Sequence, residues 1–333
     1  MTNIRKNPIK DTPQIQGFDW QKFTPLKLPP LDTLAQLDHG CIANNHETLT
    51  RRAIAKYYTN SIIMPLIDLK NEFEQSYWNS YHCVSLLQID QDGKVTSKYC
   101  KNRWCIVCNR IRTAILINTY LPTLKQWKRK SFVTLTTDLT KTCVGELQLK
   151  EVIQQYKNAF TRVWRRLKRK YGTTNAIRKI EVTHSFRNGW YHPHFHVILE
   201  VKSDEDVFLL QEWLKEFPNA DKGANDIRIA DDRTVKETFK YMTKMWRKIN
   251  KEDSLEEVRV LPYPPEIMHT IFKVMYKKRT IQTYGDKLKP IDEDFDTEVA
   301  TVYLDTEFDA VSHWDWYQDA KNWICEATGE LLV

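Results

Sequence analysis

A chain of 333 residues with 41% hydrophobic and 12% aromatic side chains can bury a large core, and a formal charge of +7 (50 Lys and Arg, 43 Asp and Glu) is not that of a disordered polyelectrolyte. It has no run of about 18 apolar residues, and Met1-Thr-Asn-Ile-Arg-Lys lacks the apolar core of a secretory signal, so a cytoplasmic protein is expected. The nine glycines are never closer than 17 positions, which excludes the glycine-rich loops that cradle nucleotide phosphates in P-loop, dinucleotide-binding and kinase folds.

In chain order, residues 1–80 comprise an extended Pro- and Lys-bearing arm and two helical patterns, 47–58 and 65–78, without a chemical signature. Residues 81–112 form a distinct unit. Here Cys100-x4-Cys105-x2-Cys108 follows Cys83 by 17 residues, and four thiolates in two clusters suit a tetrahedral Zn²⁺. Unrelated buried thiols are the simpler alternative, and His82 is an alternative to Cys83. Interleaved Arg103 and Arg110, with Lys101 and Arg112, suggest a unit that faces DNA phosphate. Cys41, Cys143 and Cys325 lack partner spacing and are expected to be structural, and disulfides are not expected in the cytoplasm.

Residues 113–250 alternate helix and strand. The patterns predict a helix over 113–128, a strand over 131–137 and an amphipathic helix over 146–171. Strands 177–186 and 190–200 follow, then helix 204–216, strand 226–230 and helix 234–249. Asn188-Gly189 marks an antiparallel hairpin. The fold class is therefore α+β, with a mostly antiparallel central sheet flanked by helices. Helix 146–171 carries Arg162, Arg165, Arg166 and Arg169, a candidate phosphate track. Residues 251–290 form a basic extension. Residues 291–333 form an acidic tail with 12 acidic side chains, one Lys, and Trp314, Trp316 and Trp323. The rest of the chain then carries +18, the balance of a polyanion binder. The tail is open to three readings: an acidic cap, a segment folded back on the body, or a dock for a host protein.

In Trp190-Tyr-His-Pro-His-Phe-His-Val-Ile-Leu199, strand periodicity places His192, His194 and His196 on one face. Paired imidazoles on a strand form half of a divalent-metal site. A two-residue Asn188-Gly189 turn would set Glu181 opposite His196 and Thr183 opposite His194, giving a His-His-Glu set suited to Mg²⁺ or Mn²⁺ holding a phosphate. A bulge would shift this pairing, and Glu200 is the alternative carboxylate. In the last helix, Glu237, Tyr241 and Lys244 share a face. There Tyr241 is a candidate nucleophile, Glu237 a proton acceptor and Lys244 a stabiliser of phenolate charge. Alone, such a face is more often a solvated helix side.

Together, Thr134-Leu-Thr-Thr137, His194-Phe-His196 and Tyr241-x-x-Lys244 resemble the HUH endonuclease superfamily. The histidines precede the tyrosine, the order of replication initiators and the reverse of conjugative relaxases. The strings CKNRWCIVCNRIR (100–112), HPHFHVIL (192–199) and ETFKYMTK (237–244) narrow the resemblance to rolling-circle replication initiators of small bacterial plasmids, as does the basic stretch 277–285. The likeness covers about 81–289. Departures are Ile106, where the family's knuckle often has proline, and the extra His192.

The resemblance implies His194 and His196 as metal ligands and Tyr241 as the nucleophile that leaves a 5′-phosphotyrosine and a 3′-OH. It implies Glu237 as the activator of water at termination. The partners implied are single-stranded or hairpin origin DNA, a host helicase and a host DNA polymerase. Two alternatives stand beside this: a single-tyrosine transposase of the same superfamily, and a non-catalytic zinc-containing DNA-binding protein.

Overall fold

The computed structural model describes residues 46–91, 93, 95–239, 246–248, 260–289, 310 and 312–333. The described chain opens with α1 (His46–Ile67), which runs nine residues past the pattern read over 47–58, while the pattern read over 65–78 spans its end and the start of the next helix. Pro65 lies in its last turn, where the missing N–H costs only a terminal ladder bond. Then come α2 (Glu74–Tyr81), β1 (Leu86–Ile89), β2 (Val95–Ser97) and α3 (Ile106–Lys125). The last begins directly after Cys105, because the Ile106 N–H donates to Thr59 Oγ1 of α1 at 3.1 Å, satisfying a donor that a helix start leaves open.

The central part of the chain follows as β3 (Lys130–Leu135), α4 (Glu146–Tyr171), β4 (Ala176–Ser185), β5 (Trp190–Glu200), α5 (Glu205–Glu216), β6 (Asp226–Ile229) and α6 (Asp232–Phe239). After β7 (Trp246–Lys248) and β8 (Val260–Pro262) come α7 (Pro265–Met275), β9 (Ile281–Tyr284), β10 (Ser312–Tyr317) and β11 (Asn322–Cys325). The chain is thus mixed helix and antiparallel sheet, as expected. Strands β7 and β8 pair with each other, Trp246 opposite Pro262, in a unit separate from the rest. The helix expected over 234–249 therefore does not run through: 232–239 are helical and 246–248 are a strand.

The central sheet has the order β6-β3-β5-β4-β9, every pair antiparallel. The basic stretch 277–285 supplies its edge strand β9. Alternation gives the sheet two faces. On one, Phe195 packs against Tyr156 and Phe160 of α4 and Trp213 of α5. On the other, Phe132, Ile177 and Ile198 form a core with Leu116, Ile117 and Tyr120 of α3 and Val235 and Phe239 of α6.

The β4–β5 register differs from the expected one. The turn is four residues, Phe186–Gly189, with Gly189 at φ +70°, and Ser185 pairs with Trp190. Glu181 is therefore opposite His194 rather than His196, and Thr183 opposite His192. The displacement is two residues, an even number, so every side chain keeps its face.

A second sheet, β11-β10-β1-β2, joins the cysteine-bearing segment to the C-terminal one, with Leu86 opposite Asp315 and Ile89 opposite Ser312. The described part of the acidic segment is thus half of a sheet. Among the described residues no helix is long and apolar enough to cross a membrane.

Candidate metal centres and active-site face

Cys83, Cys100, Cys105 and Cys108 are all buried, and their sulfurs lie within 4.8 Å of one another. Cys108 Sγ is 3.6 Å from Cys83 Sγ and 3.7 Å from Cys100 Sγ. A disulfide would need about 2.05 Å. The sulfurs of a tetrahedron with Zn–S bonds of about 2.3 Å stand about 3.8 Å apart, so the set fits that ion. His82, the alternative to Cys83, is exposed and stacks on Trp78. The thiols are poised unequally: burial and hydrogen bonding raise Cys100, whereas hydrogen bonds from Cys100, Cys108 and Cys83 pull Cys105 well down despite its burial.

Helix α1, which carried no readable signature, supplies a cation here. Lys56 is fully buried, donates to the Tyr81 carbonyl and lies 3.0 Å from Ser85 Oγ. Burial pushes its ammonium down to about 8, while the four cysteines act to raise it. One turn earlier, Arg52 donates to Tyr99 Oη at 2.6 Å. The signal that could have found these residues was the spacing of Arg52 and Lys56, one turn apart on α1.

The second cluster lies on the α3/α6 face of the central sheet, beyond the apolar core. Ligand atoms of Glu181, His194 and His196 lie within 4.8 Å of one another, all half-buried. His194 Nδ1 is 3.1 Å from the His192 carbonyl oxygen, so that nitrogen carries the proton and the lone pair lies on Nε2. His196 Nδ1 is 3.4 Å from Thr134 Oγ1, its neighbour across the β3–β5 pair, and its Nε2 is 3.9 Å from Glu181 Oε2. Phe132 stacks on its ring at 4.9 Å. Burial first, then His194, push the His196 imidazole down to about 3, against the opposing pull of Glu181. A neutral imidazole is the form that ligates a metal, so two nitrogens and a carboxylate oxygen fit a divalent ion with open positions. Glu200, the alternative carboxylate, is engaged further along the strand by Asn175 at 2.7 Å and Lys287 at 3.0 Å.

Sequence reading missed Lys179. It stands opposite His196 in the β4–β5 pair, with Nζ 3.4 Å from Glu181 Oε2. Alternation along β4 from Glu181 would have found it.

The tyrosine element is only partly described. Helix α6 docks on this same face through Val235 and Phe239, and the Phe239 carbonyl accepts from Thr113 Oγ1 at 3.1 Å. Glu237 lies in α6, with its side chain outside the described residues; Tyr241 and Lys244 lie outside them altogether.

The arginines expected on DNA divide into groups. Arg103 is buried and donates to the Met275 carbonyl at 3.1 Å, locking the end of α7 to the cysteine segment rather than facing solvent. Arg110 donates to the Arg51 carbonyl at 3.2 Å. Arg162 and Arg166 bind carboxylates of α5: Arg162 Nε is 2.9 Å from Glu216, and Arg166 Nε is 2.8 Å from Glu212. Arg165 and Arg169 are exposed. All four α4 arginines sit on the helix that covers the sheet face opposite the histidines.

Residues 94–327 match the family model described as replication protein. A "Protein rep" of Staphylococcus aureus is 32% identical over 123 residues, 34% of this chain and 53% of that protein. One of Streptococcus pneumoniae (serotype 2, strain D39) is 27% identical over 214 residues, 58% of this chain and 62% of that protein. One of Lentilactobacillus hilgardii is 31% identical over 145 residues, 40% and 45% of the two chains. The chain thus spans about half to three-fifths of the length of the first two relatives. No solved structure matches. The match embraces three of the four clustered cysteines, the histidine strand, the helix leading to the tyrosine and most of the C-terminal hairpin, and on that extent the chain belongs to the replication-protein family.

Proposed function

We propose that this protein initiates rolling-circle replication of a plasmid by nicking one strand of its origin and rejoining it at termination. The observation that carries the reading is the Glu181, His194 and His196 cluster, half-open on the sheet face where α6 docks, with Tyr241 two residues beyond Phe239. A bound Mg²⁺ or Mn²⁺ would supply Lewis-acid polarisation of the scissile phosphate. The chain's own residues do the rest. The His192 carbonyl holds His194 in the ligating tautomer, Thr134 orients the His196 ring through its Nδ1, and the sheet fixes their spacing.

Tyr241 Oη then attacks the phosphorus. A Tyr–O–P bond forms and the P–O3′ bond breaks, leaving a 5′-phosphotyrosine and a free 3′-OH that primes a host polymerase. Lys244 stabilises developing charge, and Glu237 takes a proton from water at termination. The bond energy stays in the phosphotyrosine, so rejoining needs no nucleotide, in keeping with the absence of a glycine-rich phosphate loop. Strand opening falls to a host helicase. Zn²⁺ at the four cysteines would be structural, tying the end of α2, the start of α3 and the second sheet together.

The test is incubation of the full chain with labelled single-stranded DNA and Mn²⁺, followed by denaturing electrophoresis. A covalent adduct is expected from the wild type and none from Tyr241→Phe. An adduct that persists in Tyr241→Phe, or survives His194→Ala with His196→Ala, overturns the assignment.

A further inference from the structure

We propose that Lys179 makes divalent-ion binding at the Glu181–His194–His196 cluster conditional on a seated DNA phosphate. The inference rests on the metal-site reading above and deepens it. On β4, Lys179 is two residues from Glu181 and directly opposite His196, so all three point to one face. Its side chain is 1% exposed, against 16% for Glu181 and 19% for His196. Its Nζ lies 3.4 Å from Glu181 Oε2. A buried ammonium therefore stands behind the carboxylate of the ligand set.

The charges decide the consequence. Two neutral imidazoles, one carboxylate and one ammonium sum to zero. On the edge strand, Arg228, whose guanidinium lies 4.6 Å from the centre of the Phe132 ring, and Asp226, opposite Thr134 on the same face, offset each other, so the count among these described residues stays at zero. Hard dications are held largely by the negative charge of their ligands, and Mg²⁺ in particular shares protein carboxylates with substrate phosphates. A ligand carboxylate whose charge is already cancelled by a buried ammonium gives up most of that attraction. A DNA phosphate at the open positions brings the missing negative charge. Ion and DNA then bind with positive coupling, which by linkage is reciprocal. The centre is thereby assembled only where a phosphodiester lies ready to be cut.

The experiment is Mn²⁺ titration of the chelator-treated full chain, read as free Mn²⁺ by electron paramagnetic resonance, with and without short single-stranded DNA. For the wild type, DNA is expected to tighten Mn²⁺ binding within the range of about 5–150-fold usual for coupled sites. Lys179→Met removes the cation, so Mn²⁺ alone should bind at least about tenfold tighter and the DNA effect should shrink. Lys179→Gln should follow it, and Lys179→Arg, which keeps the charge, should behave as wild type. A folded Lys179→Met or Lys179→Gln chain that binds Mn²⁺ no tighter than wild type overturns the proposal. Binding that survives His194→Ala with His196→Ala overturns instead the metal-site reading beneath it.

Discussion

Replacing Trp323 by alanine tests whether the C-terminal hairpin is a working part of the fold. The indole on β11 is fully buried, meets Trp316 edge-on at 4.9 Å, and its Nε1–H donates to the Val84 carbonyl at 2.9 Å. Val84 follows the cysteine-cluster member Cys83 and holds φ at +58°, a costly conformation for a β-branched residue that its surroundings must impose. Truncation to alanine removes about 3–5 kcal/mol of burial and packing. It also strands a buried acceptor, a further ~1–3 kcal/mol. Against a total stability of about 5–15 kcal/mol, that is about a quarter or more. Trp323→Phe separates the two parts, keeping most of the ring and losing the donor, and should cost about 1–3 kcal/mol. Urea unfolding of the zinc-loaded chain measures both, and zinc transfer to a chromogenic chelator should quicken in the alanine variant. A loss under about 1 kcal/mol for Trp323→Ala, with unchanged zinc transfer, refutes the reasoning.

Other outcomes follow from the same geometry. Elemental analysis of protein purified without chelator should find one zinc per chain, and Cys108→Ser, which removes the sulfur near both Cys83 and Cys100, should abolish it. His196 has its folded pKa lowered from 6.5 to about 3, so the unfolded chain takes up more protons between those values. Its contribution to stability is complete above pH 6.5 and is lost as pH falls through that window, with a slope of up to about 1.4 kcal/mol per pH unit that His196→Asn should remove from the metal-free chain. On α4, Arg165→Ala and Arg169→Ala should each lower the salt dependence of DNA binding by about one phosphate contact, with Arg162→Ala smaller because Glu216 already holds that guanidinium. Equal effects at all three positions would show that the α5 carboxylates do not screen the track.

The sequence made the central domain legible because its signals are local. Helix α4 is read to its ends from its apolar stripe and Gly172, and β5 from alternation. The ligand cluster was legible by parity rather than by register. Asn188-Gly189 announces a hairpin, but the glycine's positive φ serves a four-residue loop as well as a two-residue one, so Glu181 moved two places and stayed on the histidine face. What escaped depends on distant partners. Nothing near Arg103 says that its guanidinium meets the end of α7, and nothing near Lys56 says that it will be buried beside four thiols. The C-terminal segment was left open among three readings because its charge is a bulk property, whereas its place is set by the inward-facing Trp323, whose indole donates to the Val84 carbonyl 239 positions earlier in the chain.

The pairing of Leu86 with Asp315 sets a clock on synthesis. At about 5–20 residues per second, roughly 10–50 s separate the emergence of those two positions from the ribosome. The central sheet, complete through β6 long before, can form in that interval, whereas β1 waits with one edge unpaired and open to association with other chains. Only when β10 has been made does that edge find its partner. A chain that stops short of β10 would keep the β1 edge open, a mark by which a protease could tell it from the finished fold.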